Sequence, residues 1–397
     1  MALIVQKFGG TSVATQESRC LVMNKIMKAK NRADQVVVVV SAIGRLGSPY
    51  ATDTLINLAT NLKPREKDLL LSCGEVISAT VLSSLLNENG YNTRVLTGGQ
   101  AGIITNETYF DADIIDVKTD RVIELLNSDI IPIITGFQGI SEDGNVTTIG
   151  RGGSDTSAAL IGESIEADAI EIYTDVNGIM TADPRVYDKA KVIDFISYEE
   201  VFQLADSGAK VIHPRAVEIA RRCEIPLYIK NTFSDEIGTV ISKNKNFKVK
   251  KSEITNTKVI TSIAHINNRV QFSIIGEDIN DENVFNELAN NDVSIDIINI
   301  FIDRRVFTVD ERHFNTVKNI LNAHELDIKF IKNCSKVTLI GERMTGIPGV
   351  MARIISSLKK ENIKIFQTAD SLTTIACLVK SEDLERTVRN LHEEFEI

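Results

Sequence analysis

The sequence predicts an α/β protein with a mostly parallel central sheet, followed by a smaller region built on an internal repeat. Three observations carry this. Residues 1–230 alternate short apolar runs with helix-like segments. A lysine- and asparagine-rich stretch at 243–251, KNKNFKVKK, interrupts the alternation. Beyond it, Val284, Phe285, Leu288, Val293 and Ile295 recur as Ile354, Ile355, Leu358, Ile363 and Ile365, at a constant offset of 70 residues.

The first apolar run, ALIV at 2–5, reads as a strand, and VVVVV at 36–40 as one buried on both faces. IIPII at 130–134, AIEIY at 169–173 and PLYI at 226–229 continue the series, with amphipathic helices such as 18–30 and 121–126 between them. Uninterrupted apolar strands separated by helices imply a sheet covered on both sides, which is the pattern of parallel strands. The charge run reads as a solvated linker. It sets a first domain at 1–242 and a linker at 243–258. In each repeat copy a short helix runs into a strand, with Asn291-Asp292 and Glu361-Asn362 at the turn. Each copy is small for an independent core, so the two are expected to pack on each other.

A chain of 397 residues exceeds what one core usually serves. Apolar content of 43% and charged content of 25% fit a soluble globular protein. The net charge of −10 argues against nucleic acid or a membrane surface as partner, so anionic ligands must be met by local positive charge. No stretch reads as a membrane span of ~20 apolar residues. The strand at 2–5 leaves no place for a secretory leader, and a cytoplasmic protein is expected. Cys20, Cys73, Cys223, Cys334 and Cys377 show no C-x-x-C pair and read as free buried thiols. His213, His265, His313, His324 and His392 show no zinc spacing, and no protein metal site is expected.

Two glycine pairs stand out. Arg151-Gly152-Gly153-Ser154-Asp155-Thr156 opens a helix-forming run, with Ser154 read as the N-cap. Bare amides at a helix start beside an arginine are a place to hold phosphate or carboxylate. Lys7-Phe8-Gly9-Gly10-Thr11-Ser12 follows the first strand. Both pairs fall where an α/β sheet binds ligands, beyond the C-terminal ends of strands. Two anion cradles on one chain suggest a kinase.

Four segments, KFGGTSV at 7–13, GRGGSDTSA at 150–158, YTDVNGIMTADPR at 173–185 and GAKVIHPRA at 208–216, together resemble the aspartokinase family. VTLIGERMTGIPGVMARIISSL at 337–358 resembles the second of that family's paired ACT domains. The resemblance implies an amino-acid-kinase domain followed by two α+β ACT domains at 259–332 and 333–397, with strand exchange between them left open. It also implies a monofunctional, feedback-regulated bacterial enzyme, dimeric through its ACT domains, that phosphorylates the side-chain carboxylate of L-aspartate with ATP and Mg²⁺.

Residue by residue, the resemblance gives Lys7, Asp155 and Lys210 the catalytic roles, with Asp155 orienting the two lysines. Gly9, Gly10 and Ser12 are expected to cradle phosphates through N–H and hydroxyl groups, beside Phe8 and Ser41. Thr174, Asp175, Met180 and Arg185 complete the expected ATP contacts; many aspartokinases carry tyrosine where Met180 stands, and methionine offers no phenolic hydrogen bond. Without the resemblance, Lys7 reads as a solvated lysine, Asp155 as a first-turn acid favoured by the helix dipole, and 208–211 as an amphipathic surface helix. Arg151 offers a fork for a carboxylate, with Gly152, Gly153 and Ser154 beside it. Glu75 lies among apolar neighbours, where an unpaired carboxylate is costly; the resemblance makes it the partner of the substrate ammonium, against a plain salt bridge. Thr52 and Phe137 complete the expected substrate contacts, and Mg²⁺ is expected on ATP phosphates and water.

Effector contacts are expected at Ser294, Ile295 and Asp296, at Pro348, Gly349 and Val350, and at Asp370 and Ser371. Ser294 and Asp296 read equally as stabilisers of a turn. Diaminopimelate and lysine are the leading effector candidates. Two alternatives stay open: another amino-acid kinase of the same fold, and a catalytically silent ACT sensor.

Overall fold

The computed structural model describes residues 2–32, 34–59, 61–209, 211–243, 260–276, 281–341, 344 and 347–397. Two compact units result. The first comprises 1–179, 192–202 and the described part of 210–251; the second comprises 180–191, 203–209 and the described part of 252–397.

The first unit is built on an eight-stranded sheet. Its order is Phe195–Ile196, Thr239–Ile241, Leu227–Asn231, Ala169–Thr174, Leu3–Phe8, Gln35–Val40, Ile131–Thr135 and Thr93–Leu96. All neighbours run parallel except Leu227–Asn231 against Thr239–Ile241. The valine run shows why. Val36, Val38 and Val40 share one core with Val22 and Ile26 of the helix Gln16–Asn31 and with Ala79, Leu82 and Leu86 of Pro64–Glu88. Val37 and Val39 point to the other face and are equally buried. There the helix Gly153–Ser164 lies close: a Cβ at Gly162 would meet Ile170 at 2.8 Å. A second sheet, ordered Ile114–Val117, Ile103–Thr105, Gln138–Ser141 and Val146–Thr148, supplies a wall of the site described below.

Pro64–Glu88 corrects one expectation. By length and composition it could cross a membrane. Here its apolar face is core, and the same face buries Asp68 and Glu75. The cysteines correct another: Cys73 is exposed and Cys20 and Cys223 are half-buried, leaving only Cys334 and Cys377 buried.

The second unit carries an antiparallel six-stranded sheet, ordered Ile295–Ile300, Arg304–Asp310, Ser262–Ile275, Asp327–Ile340, Thr374–Lys380 and Gln367–Asp370. The two 14-residue strands at its centre serve two cores. Val270, Phe272 and Ile274 pack with Val284, Leu288 and Val317, while Ile263 packs with Val337, Ile354, Leu358 and Leu391. Irregularities in register between Ile266 and Gln271 accompany this change of side. The repeat is visible as structure. Val284, Leu288 and Val293 are buried like Ile354, Leu358 and Ile363, and Asp292 and Asn362 both turn the chain at positive φ, 55° and 57°. It fails at one position, since Phe285 packs on its core while Ile355 is 48% exposed.

Candidate active site

A cavity of about 560 Å³ opens in the first unit, and Lys7, Ser41, Thr52, Glu75, Phe137, Arg151, Gly152, Gly153, Ser154 and Asp155 all line it. Of the first glycine motif only Lys7 reaches the cavity, where it meets the second motif. Lys7 ends the strand Leu3–Phe8, and its Nζ lies 2.6 Å from Asp155 Oδ1 in the first turn of Gly153–Ser164. Both side chains are largely buried, 11% and 14% exposed, so the pair is little screened by solvent.

Gly152, in the left-handed region at φ 68°, caps this helix, and Ser154 falls inside its first turn. The expected serine cap is thereby corrected: the chain must turn sharply here beside His213, and only glycine fits. A Cβ at Gly152 would lie 2.3–2.4 Å from the His213 ring. Gly152→Ala should lower the unfolding free energy by more than ~1 kcal/mol, the usual cost of a left-handed non-glycine residue, before the clash is counted. Thermal melts of Gly152→Ala against the parent chain check this.

Glu75 is 2% exposed. Its Oε1 accepts the Ala42 N–H at 3.0 Å, and its Oε2 is buried with no hydrogen-bond partner among the described residues. Burial pushes its carboxyl up to about 8, opposed by backbone hydrogen bonds, chiefly its own and then Ala42's. A buried carboxylate oxygen left open toward a cavity is a receptor for a cation.

The other expected contacts are arranged differently. Phe8 is core, stacked on Tyr173 with ring centroids 4.8 Å apart. The Gly9 N–H donates to Tyr173 O at 3.0 Å, and the Ser12 N–H to Gly9 O at 2.9 Å. Ser12 Oγ lies 2.7 Å from Thr232 Oγ1. These donors hold the turn itself, so the expected cradle of open amides is corrected at Gly9 and Ser12. Gly10 is needed for close approach, since a Cβ there would meet Gly44 O at 2.4 Å. Asp175 pairs with Arg45 at 2.6 Å and accepts from Thr174 Oγ1 at 3.2 Å. Met180 and Arg185 belong to the second unit, where Arg185 forks Asp183 at 3.0 and 2.7 Å. Lys210 lies outside the described residues. Its neighbours are not helical: Gly208 has φ 101°, and the next helix, Pro214–Arg222, starts after His213.

Asp53, Ile56, Lys67, Leu71, Phe110, Thr148 and Gly150 line the cavity without having been anticipated. Lys67 and Leu71 had a signal, because they precede Glu75 by eight and four residues on one helix. Phe110 had none; it sits in a loop at φ 73°. Among the effector candidates, Asp296 is engaged with Lys336 at 2.5 Å and with Arg269 at 3.4 Å, which makes it an ion-pair residue and not a turn stabiliser. Gly349, at φ 94°, caps the helix Val350–Lys360.

A mostly parallel α/β sheet whose strand-end Lys7 meets the glycine turn at 150–153 in one cavity lined by cations defines a kinase of the amino acid kinase family, whose model matches residues 2–231. A model of the ACT domain matches residues 329–393. Aspartokinase 1 of Bacillus subtilis (strain 168) is 44% identical over 404 residues, covering 100% of both chains. The chain belongs to the aspartokinases. In structure it is similar to aspartokinase III of E. coli in complex with lysine and aspartate, in the T-state, with a TM-score of 0.75 and 25% identity over 99% of each chain. The complex of that enzyme with aspartate and ADP, in the R-state, shares the fold at a TM-score of 0.75 and 24% identity, over 100% of each chain.

Proposed function

We propose that this chain transfers the γ-phosphoryl group of ATP to the side-chain carboxylate of L-aspartate, giving 4-phospho-L-aspartate. The observation that carries this is Glu75 Oε2, unpartnered among the described residues, in the cavity that also holds Arg151 and Lys7. An acceptor with an α-ammonium and an α-carboxylate satisfies Glu75 and Arg151 together, and leaves its second carboxylate free to face Lys7. One oxygen of that carboxylate bonds to the γ-phosphorus as the bridging bond to ADP breaks, and ADP leaves with the electron pair. Such a transfer needs position and neutralised charge more than covalent help. Lys7 supplies the charge, and Asp155 holds Lys7 in place. Mg²⁺ would add charge neutralisation at the phosphates, held mainly by phosphate oxygens and water. The aspartate and ADP named in one related complex support the reading.

The ACT region leads us to propose a cytoplasmic homodimer inhibited by a pathway end product, diaminopimelate or lysine. The lysine bound in a related complex supports an amino-acid effector. A coupled ATPase assay with L-aspartate, L-glutamate and N-acetylglutamate tests the acceptor: L-aspartate should be the substrate. Preference for N-acetylglutamate, which lacks the ammonium, would remove the role given to Glu75. In the same assay, indifference to diaminopimelate, lysine and threonine would end the regulatory part.

A further inference from the structure

We propose that Asp68 is a positioning residue for the acceptor, fastening three separate segments into the wall that presents Arg151. This rests on the acceptor reading above. Asp68 is fully buried on the helix Pro64–Glu88, two turns before Glu75 on the same buried face. Its Oδ2 accepts the Thr148 N–H at 2.7 Å and the Phe110 N–H at 3.2 Å, and its Oδ1 accepts Thr148 Oγ1 at 3.0 Å. Those partners are 80 and 42 residues away along the chain, and both line the cavity.

The consequence reaches the anion turn through short steps. The Ala112 N–H donates to Thr148 O at 3.0 Å, tying the 110–112 loop to the strand Val146–Thr148 a second time. Phe110 and Asp111 pack so closely on Gly150 that a Cβ there would lie 2.3 Å from Asp111 Oδ1 and 3.4 Å from Phe110 O. Gly150 stands at φ 79° and Gly152 at φ 68°, with Arg151 between them. Arg151 thus projects from a turn whose start is set by the segment Asp68 holds. Phe110 itself stays at φ 73°, an unfavourable region for a bulky side chain, and the bond to its N–H from Asp68 opposes its relaxation.

A neutral hydroxyl could hold one amide here. An acceptor that takes two amides and a hydroxyl from two segments needs both oxygens of a carboxylate. Burial drives the Asp68 carboxyl above its ordinary range, and the three donors draw it back. None of the three partners is a cation, so this is a buried acid spent wholly on shaping the backbone around the cavity.

The test compares Asp68→Ala, Asp68→Asn and Thr148→Val with the parent chain, measuring KM separately for L-aspartate and for ATP. Asp68→Ala should raise KM for L-aspartate by about tenfold or more, with KM for ATP changed less than about twofold. Asp68→Asn keeps one acceptor oxygen, enough for the two amides that share Oδ2 but not for the Thr148 hydroxyl, and should fall between Asp68→Ala and the parent. A loss confined to kcat in proportion to unfolded protein, or equal rises in both KM values, would overturn the proposal. If Asp68→Ala does not fold, Thr148→Val, which removes only the hydroxyl bond, must show the same bias toward the L-aspartate KM, and its absence is equally fatal. Failure of the parent chain to use L-aspartate would instead strike the acceptor reading itself.

Discussion

Replacing Lys7 by alanine is expected to lower turnover by about 10³-fold, the loss typical when a preorganised charge at a transition state is removed. Lys7 Nζ is 2.6 Å from Asp155 Oδ1, and the pair is shielded from water. Two effects will therefore appear together. The transferring phosphoryl group loses a cation, and Asp155 is left as a poorly solvated charge without its partner. The second effect alone can cost on the order of 3 kcal/mol of stability for a buried pair. The double variant Lys7→Ala/Asp155→Ala separates them. It should regain most of the stability in a denaturant melt and none of the turnover. Recovery of turnover in the double variant would show that Lys7 acts only by compensating Asp155.

Glu75→Gln is expected to change binding and stability in opposite directions. The amide keeps an oxygen for the Ala42 N–H but cannot neutralise an ammonium, so KM for L-aspartate should rise by about 10²-fold, as for loss of a buried charge-paired contact. Stability follows the raised carboxyl, at about 8 against an ordinary 4.5. Between those values the unfolded chain has lost the proton and the folded chain keeps it, so stability falls as pH rises and levels off above about 8. Removing the acid should thus make the free protein more stable than the parent at pH 8 to 9, and close to it below pH 4.5. Ligand binding carries the same signature. At neutral pH the free protein holds the Glu75 proton, and an arriving ammonium expels it. Calorimetry in buffers of different ionisation enthalpy should find release of about one proton per L-aspartate at pH 7, absent in Glu75→Gln. No proton release in the parent chain would mean that the ammonium is bound elsewhere.

The sheet and its two-sided covering were legible because runs such as Val36 to Val40 leave little choice, and the repeat was legible because apolar positions such as Val284, Leu288 and Val293 recur at Ile354, Leu358 and Ile363. Lys7, Asp155, Arg151 and Glu75 were legible through motifs whose residue types fit their tasks. What the sequence concealed depends on contacts across long separations. Ser154 looked like a cap until the His213 ring beside Gly152 decided where the helix starts. Phe8 was expected as a nucleotide contact because it stands in the KFGGTSV segment that carries the family resemblance, but stacking on Tyr173 places it in the core. Phe110 carried no local pattern, and although Asp68 shares a helix face with Glu75, its meeting with Phe110 is a product of the tertiary fold.

In the proposed reaction Glu75 Oε2 receives the α-ammonium of the acceptor, and a crystal structure of the chain with L-aspartate and a non-hydrolysable ATP analogue would show whether it does. The expected density places that ammonium about 3 Å from Glu75 Oε2, with the side-chain carboxylate turned toward Lys7 and the terminal phosphate. An acceptor bound with its ammonium away from Glu75, or outside the cavity that Lys7 and Arg151 share, would overturn the role given to Glu75.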